Sequence, residues 1–176
     1  KSCQVKNEEL IRHYKIIQFI FHYQWEKIRH YCFHKGIQII GDLPIYVGYD
    51  SADVWDNKEL FQLNNKGKMT FQGGCPPCDY EDDGQIWGNP LHNWQTHENS
   101  NFVWWQKRFE KLFKMVDIIR LDHFIGYAKY YRISMMDKNA KDGEWLPANG
   151  EKLFQTIKKR FNNLDVIAED LGDVTE

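Results

Sequence analysis

The sequence predicts an α/β fold built on a parallel sheet, and three observations carry that prediction: three segments of helical periodicity, a short β-branched run after each, and a carboxylate at the end of every run. A helix followed by a buried strand, repeated, needs right-handed crossovers between parallel strands, as in a doubly wound sheet or a β/α barrel. In β/α barrels functional side chains gather at the C-terminal ends of strands, and Asp42, Asp122 and Glu169 stand at such ends. No glycine-rich phosphate loop follows any run, which weighs against a nucleotide-binding doubly wound domain. The expected fold is therefore a partial (β/α)8 TIM barrel: about three consecutive β/α units with a long structured loop insertion, residues 1–176 forming the central part of one incomplete domain.

The elements follow in order. From Glu8 to Lys35 the apolar residues Leu10, Ile11, Tyr14, Ile17, Ile20, Phe21, Trp25, Ile28 and Tyr31 recur at three and four positions, the spacing of one helix face, in one long helix or two. Gly36 reads as its C-cap, and the run from Ile37 reads as a buried strand ending at Gly41-Asp42. Val47 to about His97 is rich in Asp, Asn, Gly and Pro without a sustained period and reads as a long loop with one helical turn near Lys58. Long structured loops in compact domains are usually functional. A helix over Asn101 to Met115 leads into the strand Val116-Asp-Ile-Ile-Arg-Leu-Asp, and a helix over Gly150 to Asn162 leads into Asp165-Val-Ile-Ala-Glu-Asp.

Composition excludes several partners. Twenty-three Lys and Arg against 25 Asp and Glu leave a net charge of −2 without a run of one sign, so neither nucleic acid nor an anionic membrane is expected to bind. No apolar stretch approaches the roughly 20 residues that cross a bilayer. The start lacks the pattern of a secretory signal, and the four cysteines at 3, 32, 75 and 78 are expected as free thiols in a cytoplasmic location. Cys75-Pro-Pro-Cys78 has metal or redox spacing but no second ligand pair, so no metal site is expected. Aromatics are 15% of the chain, enough for some rings to stack on a ligand while most pack in the core.

The strand-end carboxylates are the candidate chemistry. Asp122 and Glu169 end consecutive strands, so a parallel sheet points them into one pocket. Such a pair suits glycoside cleavage, in which one carboxylate attacks the anomeric carbon and the other protonates the leaving oxygen. Arg120, two residues before Asp122, shares its strand face and is expected to keep it ionised, and His123 could donate to a sugar hydroxyl. Taken alone, Arg120 and Asp122 read more readily as a buried ion pair, with Glu169 as a helix cap.

Five ordered motifs go further. Ile39-Ile-Gly-Asp-Leu-Pro-Ile-Tyr-Val, Asp50-Ser-Ala-Asp-Val-Trp, Gly84-Gln-Ile-Trp-Gly-Asn-Pro, Arg120-Leu-Asp-His-Phe and Ala168-Glu-Asp-Leu-Gly closely resemble those of the amylomaltases, or disproportionating enzymes, the 4-alpha-glucanotransferases of glycoside hydrolase family 77. The resemblance runs from about Gln24-Trp25 to Thr175. It implies a catalytic barrel domain with Asp122 as nucleophile, Glu169 as acid/base and Arg120 holding the nucleophile charged. It implies further that Asp42 and His123 bind the sugar at the cleavage point, that Gln85, Trp87 and Asn89 line the acceptor side, and that malto-oligosaccharides and other α-1,4-glucans are the partners, with no cofactor. One loop departs from the family, which usually has Pro-Pro-Asp-Tyr-Phe where this chain has Pro76-Pro77-Cys78-Asp79-Tyr80-Glu81; acceptor binding is the property this puts in doubt. The family also carries a third catalytic Asp on a later strand, which these 176 residues lack, so in isolation they are expected to be inactive and poorly stable. An α-amylase-type hydrolase and a non-catalytic glucan-binding fragment are the alternatives.

Overall fold

The computed structural model describes residues 2–171. The chain starts with a short helix α1 (Ser2–Lys6) and a 27-residue helix α2 (Glu8–His34), then strand β1 (Ile40–Leu43). Helix α3 (Ala52–Asp56), a 3-10 turn (Lys58–Leu60), strands β2 (Phe71–Cys75) and β3 (Gln85–Ile86) and helix α4 (Trp94–Asn99) follow. The second half comprises α5 (Val103–Phe113), β4 (Ile118–Leu121), α6 (Ile125–Ala128), β5 (Lys129–Ser134), β6 (Glu144–Pro147), α7 (Gly150–Arg160) and β7 (Val166–Ala168).

Local chemistry explains several boundaries. The long helix ends because Gly36 takes a left-handed φ of +66°, which lets the Ile37 N–H reach back to the Cys32 carbonyl at 2.9 Å. Ser51 caps α3 by accepting from the Val54 N–H, and Asn93 caps α4 by accepting from the Thr96 N–H. Glu151 in the first turn of α7 and Lys158, Lys159 and Arg160 in its last match the helix dipole.

Two sheets result. The three strands expected from sequence form one parallel sheet in the order β1-β4-β7, with Asp42 opposite Arg120 and Arg120 opposite Ile167. Ile119 and Leu121 point into the core, so Arg120 and the residue after the strand, Asp122, lie on the opposite face. On the core side Trp105 and Phe109 of α5 and Leu153 and Ile157 of α7 are fully buried in the same cluster as Ile119 and Leu121. Each such side chain contributes roughly 1.5–3 kcal/mol through burial.

The second sheet, in the order β3-β2-β5-β6, is antiparallel and was not expected. Two of its strands lie in the stretch read as a long loop. Their hydrophobic signal is short, and β2 carries Gly73 and Gly74 for a spatial reason. A Cβ on Gly74 would sit 2.0 Å from the Gln85 carbonyl oxygen, and one on Gly73 would press on the Tyr46 ring at 3.2 Å. The same stretch holds α3 and α4 beside the turn near Lys58.

One further expectation needs correction. The run Ile37 to Asp42 is not a buried strand: pairing starts only at Ile40, which is 57% exposed at the edge of the sheet. The helix expected over Glu8 to Lys35 is present as α2; most of its apolar stripe is exposed, Trp25 is half-buried against the core, and no residue of the helix is fully buried. Trp25 and Arg29 hold it to the α5–β4 corner, Trp25 by donating to the Met115 carbonyl at 2.8 Å and Arg29 by pairing with Asp117 at 3.3 Å. The four cysteines are free, and no described helix is long and apolar enough to cross a membrane.

Candidate active site

The parallel sheet brings the predicted carboxylates together because each ladder continues one residue past its strand. The Asp122 N–H donates to the Leu43 carbonyl at 3.3 Å and the Glu169 N–H to the Leu121 carbonyl at 3.0 Å. Both acidic side chains therefore leave the sheet at the same end, beside Asp42 on β1. Arg120 sits between all three. One terminal nitrogen donates to Asp42 and, at 3.0 Å, to Asp122, while the other donates to Glu169. A planar guanidinium with forked donors suits this task, since it can face several carboxylates at once without losing its charge.

The electrostatics differ from the simple expectation that Arg120 keeps Asp122 ionised. Arg120 does pull the Asp122 carboxyl downward, but partial burial and the charges of Asp42 and Glu169 outweigh it, and the net shift is upward. One cation shared by three anions cannot fully offset each of them.

His123 completes this side of the pocket. Its backbone is left-handed, with φ of 47°, an uncommon conformation that turns its N–H onto Glu169 Oε2 at 2.6 Å. Burial depresses the imidazole's pKa despite the nearby carboxylates, so the ring is neutral near pH 7, and its buried Nε2 has no partner among the described residues. Gly126 makes room for this ring, since a Cβ there would come within 2.8 Å of His123 Cδ2.

Trp87 reaches His123 from the other sheet. The rings meet edge to face, with centroids 4.8 Å apart and planes at 88°. Gln85 orients the indole by accepting from its Nε1 at 2.9 Å, and Gly88, with φ of +70°, turns the chain behind it. Asn89 is half-buried and its amide nitrogen donates to the Val47 carbonyl at 3.0 Å, which leaves its oxygen for another partner.

All eight sequence-predicted residues are described. Asp42, Arg120, Asp122, His123 and Glu169 form one contiguous network, Trp87 and Gln85 adjoin it through His123, and Asn89 faces the loop after β1. Gly172, in the last motif, and the stretch to Thr175 lie outside the described residues. Sequence reasoning missed Tyr46, whose ring lies 6.0 Å from Trp87, and the buried His92 beneath it. The aromatic directly after Asp42-Leu-Pro-Ile was the available signal for Tyr46, whereas nothing in the pattern around His92 marks it as buried. Among the described residues no group of three or more His, Cys, Asp or Glu is placed to hold a metal ion.

Fold and site together define a mixed α/β protein with a carboxylate pocket at the C-terminal ends of parallel strands. Comparison with known proteins gives the family. The profile of glycoside hydrolase family 77, described as 4-alpha-glucanotransferase, matches residues 1–176, and the chain belongs to this family. It is 44% identical over 160 residues to the 4-alpha-glucanotransferase of Aquifex aeolicus, an alignment covering 91% of this chain and 33% of that one. The chloroplastic/amyloplastic 4-alpha-glucanotransferase of Solanum tuberosum is 44% identical over 90% of this chain and 28% of its own length. The structure superposes with a TM-score of 0.95 on the amylomaltase from Streptococcus agalactiae in complex with acarbose, at 44% identity over 98% of this chain and 35% of that one. The amylomaltase from Corynebacterium glutamicum shares the fold at a TM-score of 0.81 and 20% identity. The chain thus spans about a third of the length of the relatives it matches.

Proposed function

We propose that the protein carrying this chain is a 4-alpha-glucanotransferase that moves α-1,4-glucan segments between malto-oligosaccharides with retention of configuration. The observation that carries the reading is the Arg120-centred cluster, in which one guanidinium holds Asp42, Asp122 and Glu169 together. Family membership and the likeness to an amylomaltase that binds acarbose support it. In this reading the parallel sheet is part of a (β/α)8 barrel, and the 176 residues are inactive by themselves, since among the described residues β1 and β7 have no outer neighbour in that sheet.

Asp122 attacks the anomeric carbon of the donor, and the bond to the leaving glucan breaks as Glu169 gives that oxygen a proton. A glycosyl ester on Asp122 results. Glu169, now a carboxylate, takes the proton from the 4-hydroxyl of an incoming glucan, whose oxygen displaces Asp122 and restores both groups. Asp122 must be ionised to attack, so Arg120 matters as the group opposing burial and repulsion. Its contact with Glu169 also fixes that carboxyl, whose second oxygen is held by the His123 N–H. Asp42 and His123 hydrogen-bond hydroxyls of the sugar at the cleavage point. Trp87 offers a flat apolar face to the acceptor glucose, flanked by Gln85 and the Asn89 oxygen. Two carboxylates and two glucans complete this chemistry, so no metal or organic cofactor is required. The free thiols suit a reducing compartment, and we place the protein in the cytoplasm.

The test is the product pattern from maltotriose. Glucose accompanied by a ladder of longer maltodextrins supports transfer, whereas glucose and maltose alone would indicate hydrolysis.

A further inference from the structure

The backbone after β1, Pro44 to Val47, runs between the two sheets without belonging to either, and side chains from elsewhere take up its carbonyls. Arg108 on α5 donates to the Pro44 carbonyl at 2.8 Å, His92 Nε2 donates to the Ile45 carbonyl at 2.7 Å, and Asn89 donates to the Val47 carbonyl at 3.0 Å. His92 is 1% exposed. A carbonyl can only accept, so neutral His92 carries its proton on Nε2 and its Nδ1 is left to accept from His97 Nε2, 3.1 Å away. Arg108 lies across the faces of Trp104 and Trp105, at 4.7 and 5.0 Å, which fixes its fork.

These bonds fix one ring. Tyr46 stacks on His92 with centroids 5.8 Å apart and planes at 16°, lies over Gly73 of β2, and meets Trp87 at 6.0 Å. Trp87 in turn meets His123. A line of contacts thus runs from a buried imidazole, through Tyr46 and Trp87, to the edge of the carboxylate pocket. The rings of His92, Tyr46 and Trp87 in series leave little freedom to shift one without shifting the next, while His123 at the end of the line is held separately by its N–H on Glu169.

We propose that His92 and Arg108 are positioning residues for the acceptor side of the site: neither bonds to Arg120, Asp122, His123 or Glu169, yet both set where Tyr46 stands and hence where Trp87 presents its face. This rests on the glucanotransferase reading, because the face in question is the one assigned to the acceptor. The cleavage step depends on the Arg120 cluster, which these bonds do not touch. Loss of the His92 bond therefore weakens acceptor binding and spares the turnover of the bound complex.

The test uses the natural polypeptide, with transfer from maltotriose to labelled glucose followed as glucose is varied. His92→Phe keeps the ring stack and loses the donor, while His92→Gln returns an N–H within reach of the Ile45 carbonyl. We expect His92→Phe to raise the acceptor KM about threefold to tenfold, the range that one net hydrogen bond supplies, with kcat within about twofold, and His92→Gln to recover most of the loss. The indole N–H resonance of Trp87, assigned through Trp87→Phe, moves in His92→Phe and returns in His92→Gln. Arg108→Lys, which loses the bond to Pro44 at the rim of the cluster, gives the same pattern and serves if His92→Phe does not fold. A lower Tm with an unchanged KM and an unmoved indole resonance overturns the proposal. If the unaltered protein transfers nothing, the functional reading fails, and the indole resonance still decides the positioning role.

Discussion

The buried imidazole pair gives a stability profile that can be worked out in advance. Burial lowers the pKa of His97 from 6.5 to about 4 and that of His92 well below 6.5, with the charge of Arg108 adding to both shifts. A group whose folded pKa lies below its unfolded value binds fewer protons when folded. Its contribution is therefore intact above pH 6.5 and is lost as pH falls toward the folded pKa. For His97 alone the loss between pH 7.5 and pH 5 is ~2 kcal/mol. His92 acts with the same sign, and because the two rings share a hydrogen bond their losses do not add fully. Asp122 acts with the opposite sign, since its folded pKa is raised and its protonation favours the folded state at low pH. Urea unfolding followed by tryptophan fluorescence at half-unit steps from pH 7.5 to 5 measures the slope, and His97→Gln should flatten it. A flat profile in the unaltered protein, or an equal slope in His97→Gln, would refute the reasoning.

Three further outcomes follow from the geometry. Gly74→Ala drives a methyl to 2.0 Å from the Gln85 carbonyl and 2.4 Å from Ile133 Cδ1, so β3 must separate from β2. The expected loss is about 2–4 kcal/mol in urea unfolding, with weakened acceptor binding because Gln85 and Trp87 move together; an unchanged midpoint would contradict this. Gly126→Ala puts a methyl 2.8 Å from both His123 Cδ2 and the buried Ile45 Cδ1, so transfer from maltotriose should fall about tenfold or more, together with a loss of Tm. Full activity in that variant would remove His123 from the site. Arg120→Met takes away the one cation opposing the upward shift of Asp122, so the acid limb of the pH–rate profile should move to higher pH, and an unmoved limb would show that Arg120 does not tune the nucleophile.

The parallel half of the fold was legible because it is periodic. Ile118 to Leu121 alternates between core and pocket, and the same alternation that buries Ile119 and Leu121 places Arg120 with Asp122. The order β1-β4-β7 is the one that right-handed crossovers give when the helices α5 and α7 pack on one face of the sheet. The antiparallel sheet was not legible, since Phe71–Cys75 contains two glycines needed for close approach and Gln85–Ile86 spans only two residues. Periodicity located α2, whose stripe from Leu10 to Tyr31 has helical spacing, although only Trp25 of that stripe is half-buried against the core among the described residues. Within the site, strand ends and motifs located the carboxylates, Arg120, His123 and Trp87. The net direction of the Asp122 shift depends on three charges sharing one guanidinium, and the role of His92 depends on a carbonyl 47 residues away in the chain; neither is a property of local sequence.

The central claim is that Asp122 holds the donor glucan and passes it to another glucan. Maltotriose incubated with the natural polypeptide, beside its Asp122→Asn variant, tests it by mass spectrometry of the products. The account predicts glucose and a ladder of longer maltodextrins from the unaltered protein and none of either from the variant; a ladder that persists in Asp122→Asn, or no ladder at all, would contradict it.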